Sequence, residues 1–195
     1  HGLNIAPQLI IYKNRSVSQT WFVTLSNMIP GNPHAYIEGL NNTSTAGSIA
    51  SAGPTSSVFT VAGYRGWGYL NDLYVAYCWA PIPGLSAFGS YLGNGSSDGP
   101  FQWCGFRPRW LLIKSSTFAG SWIIIDSARS SFNFSTEHLV ANGNNAENSV
   151  GTFGLDILSN GFRVRTTDAT LNGSGQTYVY AAVAESPFAA NNRAR

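Results

Sequence analysis

Charged side chains are scarce in this chain: Asp, Glu, Lys and Arg together make up 10% of its 195 residues, against roughly a quarter in an average globular domain. The basic residues are scattered, whereas a nucleic-acid groove needs a clustered basic face. No apolar run approaches the roughly 20 residues that span a bilayer. We therefore expect neither a nucleic-acid partner nor membrane insertion.

Metal-binding side chains are equally few. The chain has two cysteines, Cys78 and Cys104, and three histidines, of which no two lie at the spacing of metal ligands. Structural zinc sites need four such ligands, so no metal site is predicted. We predict no cofactor site and assign no catalytic residue. Whether the two cysteines form a disulfide stays open at this point.

The apolar residues, 44% of the chain, occur in short runs rich in β-branched and aromatic side chains. Clusters of Gly, Asn, Ser and Pro separate these runs, which is the pattern of strands joined by frequent turns. No stripe of helical period extends over more than two turns. The sequence predicts an all-β protein, a β-sandwich of jelly-roll or lectin-like type.

Two halves of the chain resemble each other. A proline, an apolar run ending in lysine and a tryptophan recur at an offset of 101 residues; these anchors are Pro7, Lys13, Trp21 and Pro108, Lys114, Trp122. Further on, FTV at Phe59 matches FRV at Phe162, and LYVAYCWAPIP matches TYVYAAVAESP, at offsets of 103 and 104. A repeat of this length indicates a duplicated structural unit. We predict internal pseudo-two-fold symmetry.

The repeat sets the expected domain organisation. We predict one sandwich over residues 1–195, made of two homologous halves of about 1–88 and 89–195. Two tandem small sandwiches with the same boundary are the alternative. A segment with strand character, SYLGNGSSDGPFQWCGF, precedes the second copy, and none precedes the first. We therefore expect the first copy to receive a strand from a longer polypeptide or from a neighbour.

The copies differ most in the segment GYRGWGYLND, which carries Tyr64, Trp67 and Tyr69, whereas its counterpart RTTDATLNGSGQ has no aromatic residue. Aromatic rings on a loop suit sugars and neighbouring subunits. These three residues are the predicted ligand or subunit contact. Rings packed within the body or against another subunit are the simpler interpretation.

Catalysis is the weaker interpretation. A glycosidase needs two carboxylates roughly 5–10 Å apart, and Asp126 and Asp156 lie in or beside predicted strands. Asp126 has a simpler role, pairing with Arg129 inside DSAR at a strand end. We predict a non-enzyme and keep a glycan depolymerase as an alternative.

The motifs HGLNIAPQLIIYKNR, FGSYLGNGSSDGPFQWCGFRPRWLLIK, DSARSSFN, LSNGFRVRTT and AESPFAANNRAR, found between Gly2 and Arg195, resemble consecutive blocks of a repeated β-module in structural proteins of tailed bacteriophages. The resemblance implies a non-enzymatic virion protein, a fibre, spike or surface appendage, that acts in particle assembly and host attachment. A carbohydrate-binding module for host glycans and a capsid-decoration protein are the alternatives.

The same resemblance implies the partners and the location. It indicates copies of the chain itself, with a trimer as the family-level example, together with capsid or tail proteins and a host surface glycan. The expected location is the virion, on the particle surface or tail, after assembly in the host cytoplasm. Placement on the head favours decoration and placement on the tail tip favours adhesion.

Overall fold

The structure is a computed structural model that describes residues 1–38, 47–48, 53–61, 70–149, 151 and 153–187. Within these residues it contains fourteen strands and one four-residue helix. In chain order they are β1 (Leu9–Asn14), β2 (Trp21–Ile29), β3 (Asn32–Glu38), β4 (Gly47–Ser48), β5 (Tyr74–Trp79), β6 (Ser86–Leu92), β7 (Phe101–Trp103), β8 (Pro108–Ser115), β9 (Ile123–Asp126), β10 (Glu137–Val140), β11 (Asn148–Ser149), β12 (Leu155–Leu158), β13 (Gly161–Val164), α1 (Ala169–Asn172) and β14 (Thr177–Ala184).

The strands form three antiparallel sheets. The first sheet has the order β4-β3-β2-β1-β5, and the second has the order β11-β10-β9-β8-β14-β6. The third, smaller sheet has the order β12-β13-β7. The prediction of an all-β sandwich is confirmed, with the third sheet as an additional layer.

The second sheet lies in the middle because both of its faces are apolar. Along β8, Leu111 and Ile113 point to one side and Leu112 points to the other, as strand alternation requires. Leu112 joins a buried cluster with Val23 and Leu25 of the first sheet. Leu111 and Ile113 join the cluster that holds the residues of the third sheet. A strand buried on both faces needs a continuous apolar run, which explains the sequence WLLI.

The first two sheets share more than a strand order. Adding 101 to the residue numbers of β1 gives residues of β8, and adding 104 to those of β5 gives residues of β14. The pair Ile11↔Tyr77 of the first sheet then matches Leu112↔Ala181 of the second. The β1–β2 and β8–β9 ladders likewise have the same register.

The packing on the outer side of each sheet corresponds as well. In the first half, Phe59 and Val61 pack against a buried cluster formed by Ile10, Tyr12 and Phe22. In the second half, the cluster beneath the third sheet includes Phe162, Val164, Leu111, Ile113 and Ile123. An offset of 103 residues relates Phe59 and Val61 to Phe162 and Val164. An offset of 101 residues relates Ile10, Tyr12 and Phe22 to Leu111, Ile113 and Ile123.

We predict that the interface between the second and third sheets contributes strongly to stability. Leu111 is fully buried there, so Leu111→Ala removes contacts and leaves a cavity, which costs about 2–5 kcal/mol of unfolding free energy. Leu92→Ala is the control, because Leu92 is 61% exposed and its truncation costs less than about 0.5 kcal/mol. Urea denaturation of both variants measures the difference. Equal costs would contradict the layering.

Candidate functional site

The predicted contact residues Tyr64, Trp67 and Tyr69 lie outside the described residues.

The six repeat anchors are all placed. Pro7, Pro108, Lys114 and Trp122 are buried, and Lys13 and Trp21 are half-buried. The two lysines make the same bond. Lys13 Nζ donates to the carbonyl of Asn14 at 3.1 Å, and Lys114 Nζ donates to the carbonyl of Ser115 at 2.6 Å. Each lysine thus binds the backbone at the end of its own strand, which is a structural role.

Lys114 is an ionisable group inside the central sheet. It is fully buried, and its Nζ also lies 3.5 Å from the carbonyl oxygen of Phe118. No carboxylate forms an ion pair with it within the described part of the chain. Burial disfavours the charged amine and lowers the pKa of Lys114 to about 8.

The candidate site is a row of three aromatic rings on the first sheet, which we call the aromatic row: the half-buried Trp21 and the exposed Tyr77 and Trp79. The ring centroids of Trp21 and Tyr77 are 6.4 Å apart, and those of Tyr77 and Trp79 are 6.2 Å apart. The successive interplanar angles are 28° and 27°. Tyr77 is 49% exposed and Trp79 is 39% exposed.

Strand geometry holds this row in place. Tyr77 and Trp79 are two residues apart on β5, so their side chains leave the same face. Trp21 begins β2 and reaches Tyr77 across β1, which pairs with both strands. Three rings on paired strands form a preorganised apolar surface with polar edges.

The second half of the chain has no equivalent row. The positions that correspond to Tyr77 and Trp21 are Ala181 and Trp122, and both are buried in the layer between the first two sheets. Sequence reasoning treated Trp21 as a repeat anchor and β5 as a closing strand, and so missed the row. The available signal was the spacing of Tyr77 and Trp79, which puts two aromatic rings on one face of an uncharged strand.

A second exposed aromatic group lies on the third sheet. Phe101 and Trp103 are two residues apart on β7, and Trp103 is 68% exposed. Their surroundings are charged: Asp98 pairs with Arg163 at 2.6 Å and with Arg165 at 3.5 Å. This surface is thus more polar than the aromatic row.

The candidate carboxylates have local partners. Asp126 Oδ2 accepts from Arg129 Nε at 2.7 Å, and its Oδ1 accepts from the amides of Ala128 and Arg129 at 2.9 Å. Asp156 Oδ2 lies 3.5 Å from Arg165 Nε. Asp126 therefore closes a turn at the end of β9, as its position inside DSAR suggests.

Ser121, His138 and Asp168 are among the residues that line a cavity of about 260 Å³. The histidine is engaged elsewhere, since its Nδ1 lies 2.9 Å from the carbonyl oxygen of Thr136 and its ring packs on Phe153. Asp168 Oδ1 accepts from the amide of Thr170 and caps α1. The three side chains therefore lack the mutual hydrogen bonds of a catalytic triad.

The two cysteines are unpaired and lie in separate clusters. Cys78 packs beside Ile10 and Tyr12, and Cys104 is buried between the second and third sheets. Burial raises the pKa of the Cys104 thiol to about 12, so it stays protonated and unreactive near neutral pH.

Neither a metal-binding cluster nor a membrane-spanning helix occurs among the described residues. They contain no group of three or more His, Cys, Asp or Glu side chains placed to hold a metal ion. None of the helices described is long and apolar enough to cross a membrane.

We predict a pH signature for Lys114. Its pKa is about 8 in the folded chain and 10.5 ordinarily, so between these values the unfolded state binds more protons and folding stability rises with pH. The difference in unfolding free energy between the wild type and Lys114→Met should therefore change with pH. It should shift in favour of the wild type by about 2 kcal/mol between about pH 7 and about pH 10.

Other titrating groups cancel in this difference. Leu92→Ala serves as the matched control, and its unfolding free energy should follow that of the wild type across the same range. Urea denaturation at each pH measures all three proteins. A constant difference between the wild type and Lys114→Met would show that the buried amine has an ordinary pKa.

Comparison with known proteins adds a family. No curated protein and no solved structure matches the chain. A family model described as "Domain of unknown function (DUF7483)" matches residues 1–187. Because this match spans nearly the whole chain, the protein belongs to the DUF7483 domain family.

Proposed function

We propose that this chain is a non-enzymatic structural protein of a tailed-phage virion, a fibre, spike or surface appendage, that acts in particle assembly and in attachment to the host surface. The observation that carries the proposal is the aromatic row on the first sheet, in which Tyr77 and Trp79 are exposed and Trp21 is half-buried. The motif resemblance from Gly2 to Arg195 supports the virion assignment. The location is then the virion, after assembly in the host cytoplasm.

The proposal includes an internal duplication. The two larger sheets have corresponding strand orders, and their ladders coincide in register at constant sequence offsets. Residues of both halves also share one buried layer. These facts support one sandwich with pseudo-two-fold symmetry over two tandem sandwiches, since tandem domains would have separate interiors.

The aromatic row suits contact with another protein. Tyr and Trp are enriched at the centres of protein interfaces, where charged residues are depleted. The strand that carries two of the rings, YVAYCW, has no charged residue. We propose that copies of this chain meet through the row and that capsid or tail proteins bind elsewhere on the surface. A trimer is the family-level expectation for the copies.

Carbohydrate binding is the second candidate, and the geometry of the same row favours it. Sugars stack on the flat faces of aromatic rings, and three rings at successive spacings of 6.4 and 6.2 Å form an extended platform. The nearby ring edges of Trp and Tyr supply hydrogen-bonding groups. Decoration of the capsid remains the alternative for a particle-surface location.

We predict that the aromatic row controls self-association. Tyr77→Ser together with Trp79→Ser should shift the chain from oligomer to monomer, because truncating central aromatic contacts costs about 2 kcal/mol or more per residue. Light scattering after size exclusion measures the mass. Trp103→Ser is the matched control, since it removes an exposed tryptophan from a different sheet and should leave the mass unchanged.

The other outcomes separate the candidates. A monomeric wild type that binds a glycan array, with binding lost in the double variant only, would replace assembly with carbohydrate recognition. A monomeric wild type without glycan binding would overturn both candidates for the row. Release of reducing sugar from a host polysaccharide, lost in Asp126→Asn or Asp156→Asn, would establish a depolymerase instead.

A further inference from the structure

The outer edge of β5 has no strand paired with it among the described residues, where β5 is the last strand of its sheet. The amide of Arg15 donates to the carbonyl of Leu73 at 2.7 Å, which sets the phase of the ladder between β1 and β5. Because hydrogen bonding alternates along an antiparallel strand, the backbone groups of Ala76 and Cys78 point away from β1. They form an edge able to pair with another strand.

The corresponding edge in the second half is occupied. There β6 pairs with β14 over seven residues, from Thr177↔Leu92 to Val183↔Ser86. An offset of 104 residues places the equivalent of this ladder along residues 73–79, which is the outer edge of β5. Strand β6 thus shows, in the second half, how a strand pairs with the edge that corresponds to the outer edge of β5.

The edge of β5 also lacks the usual protection against pairing. Natural edge strands carry charged residues, prolines or bulges that prevent the addition of a further strand. The sequence YVAYCW has none of these residues, and the β1–β5 ladder runs through it without a register shift. Ala76 and Tyr77 are both exposed. The chemistry of this edge therefore favours addition of a strand.

We propose that the outer edge of β5 binds an extended strand contributed by another polypeptide chain. The bound strand is uncharged and combines small and aromatic residues, as β6 does with its sequence SAFGSYL, and it runs antiparallel to β5. This inference rests on the proposed duplication and deepens the assembly role, because it names the kind of contact through which the module is joined to a partner.

The side chains of β5 specify the occupant further. In the second half Tyr180 covers Gly89, and a Cβ atom on that glycine would lie 2.9 Å from the tyrosine Oη. The residue that corresponds to Tyr180 is Ala76, which leaves this space open. The strand on β5 therefore accepts a larger residue where β6 has glycine. Opposite Tyr77 it carries an apolar residue, as Phe88 lies opposite Ala181.

Amide hydrogen exchange tests whether the edge is open. The amides of Ala76 and Cys78 should exchange at least about tenfold faster than those of Val75 and Tyr77 in the isolated chain, because only the latter bond to β1. Equal protection of all four amides would mean that this edge is already covered within one chain, which would overturn the inference.

Peptide binding tests the occupant. The probe is a fluorescent peptide of residues 84–94, which contains β6, and a second probe carries Gly89→Val. Anisotropy titration with the full chain should give saturable binding below about 1 mM, tighter for the Gly89→Val peptide. Bound peptide should slow exchange at Ala76 and Cys78 by at least about tenfold. A scrambled peptide is the control, and equal binding of it would overturn the inference.

A pair of variants confirms the location. Ala76→Pro removes the outward N–H, a position where an edge strand tolerates proline, and should abolish peptide binding. Ala76→Val keeps the N–H and should retain it. Circular dichroism melting checks that both variants are folded. Peptide binding that survives in a folded Ala76→Pro variant would place the occupant elsewhere.

Self-association gives a further outcome. An oligomer lost in Ala76→Pro and resistant to excess peptide would make a second copy of β5 the occupant and overturn the β6-like strand. The chain could bind the peptide while Tyr77→Ser together with Trp79→Ser leaves the oligomer unchanged. That result would support the inference and remove the support for the proposed aromatic contact. Failure of the edge and failure of the row are thereby distinguished.

Discussion

The whole structure depends on a central sheet whose strands β8 and β14 are buried on both faces. Its strands β8 and β14 carry apolar residues to both sides, and the first and third sheets complete the two interiors. A polar group in such a sheet must find a partner inside the protein, because water does not reach it. Lys114 does so through backbone carbonyls, and its lowered pKa reflects the cost of keeping a charge there. Lys114 therefore binds the backbone at the end of a buried strand, β8.

The correspondence between the two halves makes their differences informative. Both halves face the same buried layer, but with side chains of different size. Tyr77 of the first half corresponds to Ala181 of the second, and Trp79 corresponds to Val183. Small residues allow the second sheet to be covered closely. Large exposed rings at the matching positions give the first half an apolar surface, as far as the described residues extend. Such surfaces on otherwise polar proteins mark sites of contact.

Two surfaces of the first half thus converge on one strand. The face of β5 carries two rings of the aromatic row, and at its outer edge the backbone groups of Ala76 and Cys78 point away from β1. A face binds through ring contacts, whereas an edge binds through main-chain hydrogen bonds, so the two modes of association are physically independent. The proposed assembly role draws on both, with the face for copies of the chain and the edge for a donated strand.

Local sequence was sufficient for the all-β fold. Short β-branched and aromatic runs between turns identify strands wherever they lie, and the anchors Pro7, Lys13, Pro108 and Lys114 recur at one offset in the sequence. The pairing of Asp126 with Arg129 was also predictable, since both belong to one turn.

Only the tertiary structure decided which apolar residues remain outside. Trp122 is buried and Trp21 is half-exposed although both occupy the same repeat position, because exposure depends on which sheet lies opposite and the sequence carries no local signal for that. The third layer and the separation of Cys78 from Cys104 were undetermined for the same reason. Strand identity is a local property of the chain, whereas layer order and open edges arise from contacts between residues distant in sequence.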